Sequence, residues 1–122
     1  MTTLHTRTHG RGPRLFVALH GWNGHTATFD PLVPHLPEDV TLLAVDLPGY
    51  GESPPPAEWS LRAVGEAVAD TVSGITGGPT EELSLLGSCS GALIGMWVAR
   101  AARDRGLAVD AQAEVGPALA AR

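Results

Sequence analysis

Apolar residues along this chain cluster in short unbroken runs, Leu15-Phe16-Val17-Ala18-Leu19, Val40-Thr41-Leu42-Leu43-Ala44-Val45 and Leu83-Ser84-Leu85-Leu86, each stopped by glycine, proline or other turn residues. Runs this short and without strict alternation predict strands buried on both faces, as in a parallel sheet. Between them the spacing changes. Phe29, Leu32, Val33 and Leu36 recur at helical intervals over Thr28 to Leu36, with Pro31 tolerable in a first turn, Pro34 making the helix short or irregular, and Pro37 closing it. Ser60 is placed to cap a second helix, in which Leu61, Val64, Ala67, Val68, Thr71 and Val72 form one apolar stripe before Gly74 and Gly77-Gly78-Pro79 end it. The stretch Ala92 to Arg103 is apolar nearly all round and predicts a helix packed under the sheet, with arginines near its end that suit the helix dipole. Thr3 to His9 alternates weakly and predicts a leading edge strand, followed by a hairpin-like turn at Gly10-Arg11-Gly12.

Strand, helix, strand, helix, strand, helix implies an α/β fold with a mainly parallel sheet, flanking helices and right-handed crossovers. Sites in such sheets lie at the carboxyl ends of the strands. The loops His20 to Gly24, Asp46 to Ser53 and Gly87 to Gly91 all fall there. A dinucleotide-binding fold is excluded by spacing, because the first buried strand runs into His20-Gly21-Trp22-Asn23-Gly24 and not into G-x-G-x-x-G.

Composition narrows the function classes. A length of 122 residues predicts one domain, and 15 glycines with 10 prolines make it rich in loops. The net charge is −5, and every basic residue other than histidine is arginine. No basic cluster is present to neutralise phosphates, so nucleic acid and anionic membranes are not expected partners. No apolar stretch approaches the ~18 residues of a membrane span and the start lacks a signal-peptide core, which leads to an expected cytoplasmic location. The single cysteine gives no intramolecular disulfide and no paired-thiol metal or redox motif. The five histidines, His5, His9, His20, His25 and His35, lie in the first third without ligand-like spacing, so neither metal nor cofactor is expected.

That cysteine occupies the most informative position. In Gly87-Ser88-Cys89-Ser90-Gly91 a predicted strand runs into a tight turn, and Cys89 has glycine at both minus two and plus two. Neither neighbour shares that framing, since Ser88 has Leu86 two residues before it and Ser90 is flanked at that distance by Ser88 and Ala92. The arrangement is G-x-nucleophile-x-G with a thiol where serine is usual. Taken alone, the pentapeptide fits a buried inert thiol equally well.

With these loops placed, residues 3 to 105 resemble the amino-terminal half of the α/β-hydrolase superfamily. The resemblance rests on His20-Gly21-Trp22, on Asp46-Leu47-Pro48-Gly49-Tyr50-Gly51-Glu52-Ser53, and on the Gly87 to Gly91 elbow, in that order. It implies Cys89 as the nucleophile and the backbone N–H groups of Trp22 and Ser90 as oxyanion donors, with His20, Gly21, Gly87 and Gly91 as supporting loop residues. The implied substrate is a small ester or thioester, hydrolysed or transferred through an acyl-enzyme. His20 is expected to fix its loop by hydrogen bonding, Asp46 to bond nearby backbone N–H groups, and Trp59 and Trp97 to pack.

The same resemblance places the catalytic acid and histidine after the nucleophile, yet no histidine follows Cys89. After Arg105 to Asp110, where a further strand should begin, Ala111 to Arg122 shows no strand periodicity. The expectation is therefore a single partial domain, truncated after the nucleophile helix, with 106–122 as a non-family tail. Such a chain would be a hydrolase by ancestry or a non-catalytic fragment that serves, if at all, in binding or assembly. An unpaired edge at the nucleophile strand would favour self-association.

Overall fold

The structure is a computed structural model that describes residues 3–21, 24–76, 83–88 and 90–115, the last six as backbone only. Five strands form one sheet: β1 (Thr6–Gly10), β2 (Arg14–Leu19), β3 (Val40–Val45), β4 (Leu83–Ser88) and β5 (Val109–Val115). Their order across the sheet is β1-β3-β2-β4-β5, with β1 antiparallel to β3 and every other pairing parallel. The expected mainly parallel sheet is thus observed.

The buried strands have two apolar faces, and the period of two assigns each side chain to one of them. Val17, Leu19, Leu43, Val45, Leu83 and Leu85 form a core with Val68, Ala69 and Val72 of helix α1 (Leu61–Thr76) and Val98, Ala99 and Ala102 of helix α2 (Ser90–Asp104). Ala18, Leu42 and Ala44 meet Phe29 in a second cluster, on which Phe16, Leu36 and Leu86 also pack. Phe29 belongs to a 3₁₀ helix, Thr26–His35, which contains Pro31 and Pro34. Each proline removes a backbone donor and blocks the α-helical ladder, which accounts for the irregular helix expected there.

Helix termini follow their sequence signals. The Ser60 hydroxyl accepts from the Ala63 N–H at 3.1 Å at the start of α1. At the end of α2, Gly106 has a φ of 79°, and the N–H of Leu107 donates to the Ala102 carbonyl at 3.0 Å. That αL cap turns the chain back so that Leu107 is buried, 1% exposed, beneath the helix. The two helices approach closely at Gly65, where an added Cβ would lie 2.8 Å from the Trp97 backbone.

Three expectations are corrected. β1 does not form a hairpin with β2, because β3 lies between them. The connection instead passes against β3, where a Cβ on Gly12 would lie 1.9 Å from the Asp39 carbonyl carbon. Second, α2 is not covered all round: Gly91, Gly95, Val98, Ala99, Ala101 and Ala102 are buried, while Leu93 is 52% and Met96 62% exposed. Small residues let the helix sit close to its neighbours, and the larger ones fall on the outer side. Third, the sheet does not stop at the nucleophile strand. β5 pairs with β4 from Leu83 to Ser88, so the edge expected to be open there is paired. The signal was present, since Val109, Ala111, Ala113 and Val115 alternate with Asp110, Gln112 and Glu114, but alanine is a weak strand former and the alternation is correspondingly faint. No helix among the described residues is long and apolar enough to cross a membrane.

Candidate active site

The carboxyl ends of β2, β3 and β4 lie side by side, with β2 between the other two. The chain leaves β2 toward β3 on one side and later returns to pair β4 on the other, which makes this end of the sheet a topological switch point. The three loops singled out in the sequence meet here.

The first is organised by His20, which follows β2 and has no exposed surface. Its Nδ1–H donates to the Gly21 carbonyl at 2.8 Å, and its Nε2 accepts from the Leu47 N–H at 2.9 Å. The imidazole therefore ties the loop after β2 to the loop after β3, and both nitrogens are engaged. Burial lowers its pKa from the ordinary imidazole value, against the opposing effects of the Gly21 hydrogen bond and the negative charge of Asp46. Tyr50 meets the ring edge-on at a centroid distance of 5.2 Å. Gly24 is required by proximity, since a Cβ there would lie 2.6 Å from His20 Cβ.

Asp46 organises the second loop. It is 2% exposed, and its carboxylate accepts from the N–H groups of Thr26 at 2.6 Å and Glu52 at 3.0 Å. Its backbone carbonyl accepts from the Ser53 hydroxyl at 2.5 Å. Gly51, with a φ of 52°, lies so close that an added Cβ would be 2.2 Å from Asp46 Oδ2. The carboxylate thus holds the loop from both sides, as expected of it.

At the third loop the two elbow glycines are sterically required. A Cβ on Gly87 would lie 2.5 Å from the Ala92 nitrogen, and one on Gly91 would lie 2.2 Å from the Leu19 carbonyl oxygen. In both cases the obstacle is backbone, which has no side-chain freedom with which to yield. α2 begins at Ser90 directly after this turn, so its amino-terminal N–H groups open toward the end of β2. Of the residues assigned roles from sequence, His20, Gly21, Gly87, Ser90 and Gly91 converge on this end of the sheet; Cys89 and Trp22 lie outside the described residues.

Beside the elbow is a cleft of about 340 Å³ lined by Gly21 and Ser90 and by Leu47, Pro48, Tyr50, Trp59, Leu61, Val64, Leu93 and Ile94. Sequence reasoning did not assemble this wall. Its members come from three separate segments, and Trp59, expected to pack, is 70% exposed. The usable signal was an aromatic residue immediately before the Ser60 helix cap, at a position whose side chain lies outside the helix stripe.

Comparison with known proteins agrees with this fold. Over 69 residues the chain is 42% identical to a pimeloyl-[acyl-carrier protein] methyl ester esterase of Methylococcus capsulatus, an alignment spanning 57% of this chain and 27% of that protein. Among solved structures it resembles a marine microorganism esterase with a TM-score of 0.76 and 18% identity, covering 95% of this chain and 41% of the other. It also resembles the epoxide hydrolase CorEH with a TM-score of 0.71 and 27% identity, covering 83% of this chain and 35% of that one. The chain thus spans well under half the length of these relatives. The sequence profile of the alpha/beta hydrolase family matches residues 16–122, through the segment after Gly106 as well as the elbow, and the chain belongs to that family.

Proposed function

We propose that this chain carries the nucleophile half of an esterase-type acyl hydrolase, with Cys89 as nucleophile and the backbone N–H groups of Trp22 and Ser90 as oxyanion donors. The observation that supports this most is the packing at Gly87 and Gly91, where backbone lies 2.5 and 2.2 Å from any added Cβ. A turn compressed in this way between strand and helix is what an elbow needs in order to present one side chain at a helix amino terminus. The helix dipole there favours thiolate over thiol. Attack of the thiolate on an ester carbonyl forms a carbon–sulfur bond and expels the alcohol, which takes up a proton; water then cleaves the thioester to release the acid.

The histidines govern how fast the second step runs. None follows Cys89 in the sequence, and His20 has both ring nitrogens engaged. His25 accepts from the Ala27 N–H through Nδ1, and His5 pairs with Glu52 at 3.1 Å. Acylation is the step these residues supply; hydrolysis of the acyl-enzyme calls for a base, which His20, with both ring nitrogens engaged, does not provide. That engagement of His20 also leaves, as a second reading, a chain that has the fold without the catalysis.

Incubation with activated aryl esters and thioesters, followed by intact-mass measurement, tests the proposal. One acyl group per chain is expected on Cys89, absent in Cys89→Ala and strongly diminished in Cys89→Ser. Equal labelling of wild type and Cys89→Ala would overturn the assignment. Absence of labelling in a folded wild-type chain would support the second reading.

A further inference from the structure

The cleft beside Ser90 has one wall that the fold does not need. Trp59 precedes the Ser60 cap of α1, the position from which an apolar side chain can staple a helix start against Val64, and Val64 lines the same cleft. Stapling accounts for the location of Trp59, but it leaves unexplained why a large ring there remains 70% exposed. The outer edge of the ring is closely fitted. Gly49, at a φ of 84°, lies against the tip of the six-membered ring, and a Cβ there would lie 2.5 Å from the ring carbon Cη2 of Trp59. Absence of a side chain at Gly49 therefore lets the indole edge abut the loop backbone, while Trp59 lines the cleft and stays largely exposed to solvent.

Much of the remaining lining is apolar: Leu47, Pro48, Leu61, Leu93 and Ile94, of which Leu93 is 52% and Leu61 40% exposed. Its volume of about 340 Å³ is at the low end of the ~300–1,000 Å³ typical of small-molecule sites. The same cleft is lined by Gly21 and Ser90, the residues that flank the proposed oxyanion donor Trp22 and nucleophile Cys89 in the chain. A ligand entering this cleft gains mainly by removing apolar surface from water.

We propose that Trp59, its ring edge held against Gly49, is a specificity-determining wall that covers the straight apolar acyl chain of the ester substrate and limits its length. The assignment of the substrate as an ester rests on the function proposed above; the chain-binding role of the cleft does not. Trp59 acts on the non-reacting part of the substrate, so it governs which acyl group is held and not the chemistry at the carbonyl. Each methylene that enters raises affinity by about fourfold, the equivalent of ~0.8 kcal/mol, until the cleft is full.

The full chain is titrated with 1-butanol, 1-hexanol, 1-octanol and 1-decanol, read by NMR shifts of the Leu47, Leu93 and Ile94 methyl groups. In parallel, initial acylation rates are measured with aryl esters of matching acyl lengths. In the wild type, affinity is expected to climb about fourfold per methylene and then level off. Trp59→Ala is expected to lose about tenfold in octanol affinity and to level off at a different length, with Trp59→Phe intermediate. Gly49→Ala retains the indole but displaces it, and part of the same loss is expected. Trp97→Phe, which lies outside the cleft, is expected to change neither readout. Equal alcohol affinities and length profiles in wild type, Trp59→Phe and Gly49→Ala would overturn the proposal, even if Trp59→Ala failed to fold. Alcohol binding without any acylation would refute the ester assignment and leave the chain-binding wall standing.

Discussion

Replacing Asp46 with alanine removes a buried acceptor from two backbone donors, and the structure sets a magnitude for the loss. The Thr26 N–H donates to this carboxylate at 2.6 Å, and Thr26 is itself only 6% exposed. Without an acceptor it bears most of its desolvation penalty, ~2 kcal/mol. Glu52 is exposed, so its N–H, which donates at 3.0 Å, can turn to water and contributes ~1 kcal/mol. The expected cost of Asp46→Ala is therefore ~3 kcal/mol, a large share of the ~5–15 kcal/mol typical of a domain. Asp46→Asn keeps one oxygen for Thr26 but sets an NH₂ group against the Glu52 N–H, and should cost about half as much. Urea unfolding monitored by tryptophan fluorescence reads both variants. At an m-value of ~1.5 kcal/mol per molar, the alanine variant should unfold about 2 M earlier in urea than the wild type. Amide hydrogen exchange should report lost protection at Thr26 in particular. If both variants unfold within ~0.5 kcal/mol of wild type, or if asparagine costs more than alanine, the carboxylate is not what holds this loop.

Two further outcomes follow from the same region. His20 has its pKa lowered in the folded chain, mainly by burial, so between that lowered value and about 6.5 the unfolded chain binds the extra proton. Stability should be fully present above pH ~6.5 and decline as pH falls toward the folded value; His20→Asn should flatten this slope in urea titrations across that window, and an unchanged slope would refute the account. Gly91→Ala places a methyl group 2.2 Å from the Leu19 carbonyl oxygen and must push α2 from the end of β2. It should cost ~1–3 kcal/mol in denaturant midpoint and slow acylation of Cys89 more than tenfold, whereas normal stability with normal acylation would show that the elbow has more room than its backbone distances indicate.

Much of the fold was legible because the buried strands and amphipathic helices repeat with their own periods. Val40 to Val45 and Leu83 to Leu86 read as doubly buried strands, and the Ser60 cap is local chemistry with local consequences. β5 was missed for an equally physical reason: its alanines are weak strand formers, and pairing with β4 supplies the backbone hydrogen bonds that fix it in the sheet. The site divides along the same line. Gly87, Gly91, His20 and Asp46 stand in short motifs whose spacing is a property of the chain, so they were identified without coordinates. The cleft was not, because Leu47, Trp59 and Leu93 are brought together only when α1 and α2 pack on one face of the sheet.

By itself, then, the sequence determined a family, a mainly parallel sheet with three loops at its strand ends, and a cysteine framed by glycines, since each of these is carried by short runs and motifs along the chain. Only the tertiary structure decided that both nitrogens of His20 are occupied, that Asp46 is held between Thr26 and Glu52, and that the edge of Trp59 abuts Gly49 with the ring largely exposed. These are contacts between separate loops at the end of a sheet. Their geometry depends on strand order and helix packing, which no local spacing encodes.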